Sequence, residues 1–322
     1  MIIPNMFYSD GDYMIINTGQ RTDIPAFYSK WLVNRIKEGY VLVRNPYYPN
    51  LVTKYILDPK VVDVICFCTK NPKPMFPYLE VLSKFRQFWH ITITAFGKDL
   101  EPNVCHVDEV IDDFKYLSKR LGSNAVVWRY TPIIINNRYP KERHLKAFEY
   151  IADKLEGYTN TVVFGFLDLY DKLNGKGLYD ATDEDKIYIA TNFLKIAKKH
   201  NMNLRLCSKE KWLKEYGIDV DGCIRLEDYE KAIGLKLTLK QKMQARKEYC
   251  SCLIANDIGS YNCCLHLCKY CYANSEPNSV LKNYQLHDEN SPLLIGNIKP
   301  NDIIRTAKQE SFIDNEINLF NI

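Results

Sequence analysis

The sequence predicts an α/β fold, a TIM-like barrel or partial barrel of parallel strands. Short β-rich runs alternate with longer stretches of helical period along the 322 residues. Alternation of this kind implies βαβ units, and about six of them fit a barrel or partial barrel better than a short open sheet. Polar residues also gather where the β-rich runs end, and parallel α/β folds bind their ligands at the carboxyl ends of strands.

The β-rich runs lie at 13–17, 61–69, 88–95, 125–131, 160–167 and 203–207. Helices are predicted at 26–38, 107–121, 141–155 and 182–200. In the first, Phe27, Trp31, Leu32 and Ile36 share a face and Gly39 is a natural stop. In the last, Thr182 is a natural N-cap with Asp185 at the third helical position. Ile187, Ala190, Leu194 and Ala197 form its expected buried stripe, and Lys198, Lys199 and His200 suit the negative end of the helix dipole. Residues 1–248 are expected to form the barrel-like domain, and 249–322 to carry a cysteine motif and a tail that completes the same fold.

Hydrophobic residues are 46% and charged residues 25%, the composition of a globular chain with a sizeable core. No apolar run is long enough to span a bilayer. The start, Met1-Ile2-Ile3-Pro4-Asn5, lacks a basic region followed by an apolar stretch, so a cytoplasmic location is expected. A net charge of +4 permits a nucleic-acid or phosphate-bearing substrate without arguing for one.

The 11 cysteines cluster, with eight of them between Cys207 and Cys271. Without a secretory signal this favours metal over disulfides. Cys264, Cys268 and Cys271 stand at a spacing of x3 then x2. One short loop of this spacing can give thiolates to three irons of a [4Fe–4S] cubane and leave the fourth open for chemistry. Cys263 offers a rival register, the C-x4-C-x2-C spacing of a two-iron cluster, but that needs a further cysteine and none follows Cys271. A zinc site is the other alternative, since Cys250, Cys252 and His266 lie close by in sequence. Once the loop is set aside, Cys207, Cys223, Cys250 and Cys252 remain as candidate ligands of an auxiliary cluster. Against this, free cysteine is commonly just a small core residue. Cys66, Cys68 and Cys105 read as structural.

The loop ends Lys269-Tyr270-Cys271, and with its aromatic residue before the last cysteine it resembles the signature of the radical S-adenosylmethionine superfamily. The full length is similar to one uncharacterised family, the DUF1848 proteins. The matching stretches are Arg21-Thr22-Asp23-Ile24-Pro25-Ala26-Phe27-Tyr28, Val43-Arg44-Asn45-Pro46 and Thr69-Lys70-Asn71-Pro72. They continue with Gly97-Lys98-Asp99-Leu100-Glu101-Pro102, Trp128-Arg129-Tyr130, Asp257-Ile258-Gly259 and Tyr270-Cys271-Tyr272-Ala273-Asn274. The chain departs from the family at Cys68, where tryptophan is usual, and at Gln20, where arginine is usual.

The resemblance implies a [4Fe–4S] cluster on Cys264, Cys268 and Cys271, with S-adenosylmethionine chelating the open iron and Tyr270 near the adenine. Reductive cleavage then yields a 5′-deoxyadenosyl radical that abstracts hydrogen from a substrate. A flavodoxin or ferredoxin is the expected electron donor. Superfamily members usually carry the loop after their first strand, so its late position implies a circular permutation, with a strand at 252–255 completing the sheet. Lys70, Arg129 and Arg21 are candidates for gripping the carboxylate or ribose of S-adenosylmethionine, or a substrate anion. For each, a salt bridge between strand ends is the competing role. His266 is expected to support the loop rather than bind metal, and Asp257 to cap a turn. Two further functions compete with the radical enzyme: a non-enzymatic iron–sulfur electron carrier or sensor, and a zinc-stabilised nucleic-acid-binding module.

Overall fold

Runs rich in Val, Ile and Phe, flanked by polar turns, form buried strands when helices cover both faces of a sheet. A computed structural model describes residues 14–239, 252–253 and 256–313. In chain order they begin with β1 (Ile15–Asn17), α1 (Ile24–Phe27), α2 (Ser29–Glu38), β2 (Tyr40–Arg44), β3 (Leu51–Ile56) and β4 (Val64–Thr69). Then come α3 (Leu79–Leu82), β5 (Gln87–Thr92), α4 (Val107–Leu121), β6 (Val126–Ile133), α5 (Lys141–Leu155) and β7 (Thr161–Phe166). The rest are α6 (Asp183–Lys199), β8 (Asn203–Leu206), α7 (Leu226–Ile233), β9 (Asn256–Asp257), α8 (Pro277–Gln285) and β10 (Ile303–Thr306).

Seven strands form one sheet in the order β8-β7-β6-β5-β4-β1-β9. Every pairing within it is parallel. All six β-rich runs found in the sequence are strands of this sheet, lying side by side in chain order. Every residue of β7 is buried, as expected of a strand covered on both faces. Trp89, Trp128, Tyr130, Phe148, Phe164 and Phe193 fill the layer between sheet and helices, with Phe148 and Phe193 stacked at 3.8 Å.

The sheet does not close, and β8 and β9 are its edges. An irregular segment crosses the gap. The Leu206 N–H donates to the Asp219 carbonyl, and the Leu253 N–H donates to the Ile224 carbonyl. The architecture is therefore a partial barrel with a seam. A second sheet, β10-β3-β2, lies outside it. There Arg44 grips Asp302 with two bonds of 2.5 and 2.6 Å.

Some sequence expectations need correction. The helix expected at 26–38 is two helices, α1 and α2, because Asp23 caps at Ala26 and the backbone leaves helical angles at Tyr28. Gly39 ends α2 at φ 78°, a left-handed conformation that glycine adopts without strain. The buried face of α6 is turned slightly from the expected one: Lys186, Ile189, Ala190, Phe193 and Ala197 are buried, whereas Ile187 and Leu194 lie at the margin. Lys186 is buried because it reaches Asp180 and Glu210 at 3.0 and 3.1 Å. Thr182 caps α6 through Asp185 as expected, at 3.1 Å. Of the strand expected at 252–255, residues 254 and 255 lie outside the described set, as does Tyr13 at the start of the first run. The pairing with β1 is made instead by β9.

Candidate active site

A cavity of about 370 Å³ opens at the carboxyl ends of the parallel strands. Lys70, Arg129, Arg21 and Tyr270 line it, as do Cys264, Cys268 and Cys271 and, on the same surface, Cys207, Cys223 and Cys252. Cys250 lies outside the described residues. Residues separated by up to 250 positions in the chain thus share one chamber.

The cysteine loop follows β9 and has neither helix nor strand of its own, so side chains hold it. Asn274 donates from Nδ2 to the Cys264 carbonyl at 2.7 Å and accepts the Cys264 N–H at 3.4 Å. Asn103 donates to the Leu265 carbonyl at 2.7 Å, and the Lys269 N–H donates to the Leu100 carbonyl at 3.0 Å. His266 is buried, with Nε2 2.9 Å from Asp23 Oδ2 and Nδ1 3.3 Å from the Asn103 carbonyl. Both ring nitrogens are occupied, which makes His266 a strut of the loop. Leu267 turns the chain at φ 54°, a conformation that costs an L-residue of order 1–2 kcal/mol and persists where neighbours enforce it.

The two candidate first cysteines lie in different surroundings. Cys263 is fully buried away from the cavity, with its Sγ 2.9 Å from the Ser260 carbonyl, and the Tyr28 hydroxyl donates to the Cys263 carbonyl at 2.6 Å. Cys264 faces the cavity with Cys268 and Cys271. Burial pushes the Cys268 thiol up to about 12, opposed by Lys70 and reinforced by Glu101 and Cys271. Burial, Asp23 and Cys271 raise Cys264 well above the usual thiol range. As thiols these groups are neutral, and they would ionise together only around a cation. The Ala273 N–H already points at the Cys271 sulfur at 3.3 Å, a donor placed for a thiolate. Among the described residues no three Cys, His, Asp or Glu side chains form a group that could hold a metal ion. A cubane asks for something different, because its ligand sulfurs stand around a body several ångströms wide. The donor set and the N–H contact fit that group.

Behind the loop, Glu101 is a buried hub that the sequence reading passed over. Its Oε1 accepts from Lys70 Nζ at 2.8 Å, from Thr94 Oγ1 at 2.8 Å and from the Tyr270 hydroxyl. Burial works against the Lys70 ammonium, but Glu101, Cys268 and Asp23 together hold its pKa above the usual lysine value. Lys70 therefore has its counter-charge within the protein. Arg21 does too: its Nε lies 3.2 Å from Asp257 Oδ1 and its Nη2 donates to the Asp257 carbonyl at 2.9 Å. The strand-end salt bridge is thus the contact that Arg21 makes. Asp257 also caps its turn through the Gly259 N–H at 2.9 Å.

Arg129 differs. Its Nη1 is 3.5 Å from His90 Nδ1, its Nη2 is 3.8 Å from the Cys207 sulfur, and among the described residues no carboxylate pairs with it. Burial works against its charge, and Cys207, Cys223 and Cys68 work for it. Burial and Arg129 keep His90 neutral by pushing its pKa well below the ordinary value. Cys68, read as structural in the sequence, lines this end of the cavity, with the Asn17 amide 3.8 Å from its sulfur.

The family model for the DUF1848 domain, a domain of unknown function, matches residues 15–273. The chain belongs to the DUF1848 family. The match runs from β1 through the last cysteine of the loop, so the DUF1848 unit contains the whole seven-stranded sheet and every residue named as lining the cavity. Helix α8 and strand β10 lie beyond it. The search of curated proteins finds no match. Asp23 and Glu101 fall within the DUF1848-like stretches quoted above. An acidic residue inside such a stretch, next to an apolar run, was the available signal for both. No helix among the described residues is long and apolar enough to cross a membrane.

Proposed function

We propose that this DUF1848 protein is a radical S-adenosylmethionine enzyme, with Cys264, Cys268 and Cys271 as the ligands of its [4Fe–4S] cluster. The observation that carries the reading is the placing of these thiols, from one irregular loop, on the cavity at the carboxyl ends of a parallel sheet. The loop's exit point supports it further. Counted in space from β9, the loop follows the first strand of the row β9-β1-β4-β5-β6-β7-β8. This is the relation that a circular permutation preserves.

When bound, such a cluster supplies one electron and an open iron, and so reductive cleavage of S-adenosylmethionine to a 5′-deoxyadenosyl radical. The chain's own residues do the rest. Asp23 and Asn274 hold the loop in place. Tyr270, fixed by Glu101, gives a flat wall beside the last cysteine for the adenine. Lys70 sits between Glu101 and Cys268 and offsets thiolate charge at that end. Arg129, at the other end, is the cation left to meet an anion. A flavodoxin or ferredoxin would deliver the electron.

Protein purified without oxygen, supplied with iron and sulfide and reduced with dithionite, is expected to release 5′-deoxyadenosine from S-adenosylmethionine. Cys268→Ala is expected to reduce release to background. Undiminished release from that variant would remove the assignment.

A further inference from the structure

A second cavity, of about 330 Å³, adjoins the cysteine loop. Cys268 and Cys271 line it as well as the chamber at the strand ends, so the loop is a partition with a cavity on either side. Three segments meet at the second cavity. The stretch after β7 brings Lys172 and Lys176, the loop itself brings Lys269, and the lead into α8 brings Glu276.

The charge on this rim is one-sided, with three lysines against one carboxylate. Lys172 is committed within the protein, since its Nζ donates to the Tyr272 and Asn274 carbonyls at 2.6 Å each. Lys176 and Lys269 are exposed, and among the described residues neither forms a salt bridge. Asp99 lies near enough to feel Lys269 but is paired with Arg138 at 3.4 Å. Two cations thus stand over the outer side of the loop with their charge unspent.

A chamber of about 370 Å³ is far too small to admit a protein, so a protein donor has to work from outside. Electron transfer weakens steeply with distance. The donor therefore needs a surface on which the residues holding the acceptor come close to solvent, and at this second cavity Cys268 and Cys271 do so. We infer that the face rimmed by Lys176 and Lys269 is the docking surface of an acidic electron-transfer protein, which passes its electron through the Cys268–Cys271 wall. The partner's reduced flavin or iron–sulfur group is oxidised by one electron and the group held by the loop is reduced by one, with no bond made or broken. Opposite charges speed such an encounter and fix its orientation, and salt weakens it. The inference rests on the reading of the Cys264 loop as a cluster site and adds where the electron enters.

The test uses the full chain, purified without oxygen and loaded with iron and sulfide. The partner is an acidic flavodoxin kept reduced by its NADPH-dependent reductase. Titration calorimetry with oxidised flavodoxin reads docking, and 5′-deoxyadenosine release reads electron delivery. Lys176→Glu combined with Lys269→Glu reverses both charges and keeps the backbone N–H that bonds the Leu100 carbonyl. This variant is expected to bind flavodoxin about tenfold more weakly, or worse, and to lose flavodoxin-driven release by a similar factor. Its dithionite-driven release should stay within about twofold of the native value, because dithionite needs no docking surface. Added salt should weaken the native complex and change the variant little. Lys176→Gln combined with Lys269→Gln should fall between the two. Equal binding by the native and charge-reversed chains overturns the inference, and so does a native chain that does not bind flavodoxin. An equal loss of dithionite-driven release overturns it too, since the lysines would then be supports of the loop. Lysine-dependent binding without 5′-deoxyadenosine from either reductant would leave the docking surface standing and count against the radical reading alone.

Discussion

The imidazole of His266 meets the carboxylate of Asp23 at 2.9 Å across 243 residues of chain. One side chain thereby ties the cysteine loop to the entrance of α1. The same carboxylate caps α1 at the Ala26 N–H at 3.0 Å and takes the Lys70 N–H at 2.8 Å. Asp23→Ala removes a cap and leaves buried donors unmet, so it is expected to lower stability by about 2–4 kcal/mol. Asp23→Asn keeps an acceptor and should cost less. Urea unfolding reads both, and a midpoint for Asp23→Ala equal to that of the native chain would refute the role.

Lys70 and Glu101 form a buried ion pair at 2.8 Å. Glu101→Gln leaves a buried ammonium without its counter-charge and is expected to cost about 3–5 kcal/mol. Lys70→Met combined with Glu101→Gln should recover much of that loss, because the uncompensated charge is gone. Additive single and double effects in a mutant cycle would contradict the coupling.

His144 titrates out of its ordinary range. Burial pushes its pKa down to about 4 from 6.5, the Ile134 carbonyl partly opposes this, and Arg143 adds to it. In the neutral ring Nε2–H donates to Ile134 at 2.9 Å, and Nδ1 accepts from the Tyr130 hydroxyl at 2.8 Å. The unfolded chain binds the proton more readily, so this contribution to stability is full above pH 6.5. It is lost as pH falls from 6.5 through about 4, and amounts to about 3 kcal/mol. Stability measured from pH 7 to 4 should fall less steeply in His144→Gln than in the native chain. Parallel curves would dismiss the prediction.

Gly165 and Gly19 bring strand ends close together. A Cβ on Gly165 would lie 2.5 Å from the Cys207 carbonyl oxygen, and one on Gly19 would lie 2.0 Å from that of Cys68. Neither backbone oxygen can give way cheaply. Gly165→Ala is expected to cost about 1–3 kcal/mol or more through overpacking. It should also move Cys207, which thiol alkylation rates would detect. An alkylation rate and melting temperature matching the native chain would mean that β7 and β8 lie further apart than described.

The sheet was legible because runs such as Val64–Thr69 and Thr161–Phe166 are apolar throughout and are spaced by helices, a local pattern. So was α6, through Thr182 and Asp185. The turned face of α6 was not, because Lys186 enters the core only by meeting Asp180 and Glu210, and such pairing is invisible in a hydropathy pattern. The strands at Tyr40–Arg44 and Leu51–Ile56 carried a usable hairpin signal in two short β-rich runs, Tyr-Val-Leu-Val-Arg and Leu-Val-Thr-Lys-Tyr-Ile, joined by the turn-forming Asn-Pro and Pro-Asn pairs. Their neighbour Ile303–Thr306 did not, since all of its residues are exposed. At the site, the spacing of Cys264, Cys268 and Cys271 named the loop. The hub at Glu101 and the thiols at the seam depend on contacts between distant segments, which one sequence does not encode in any local period.

The pairing of β9 with β1 has a bearing on synthesis. A chain leaving the ribosome delivers β1 and β4 through β8 first, and can lay out a six-strand bowl with Arg129 at its rim. The wall carrying Cys264, Cys268 and Cys271 emerges last and must travel back to the edge where the bowl began. The cavity therefore gains its cysteine-lined wall only after translation has passed the loop. A release from the ribosome before residue 256 would leave the bowl without that wall, however well its other strands had folded.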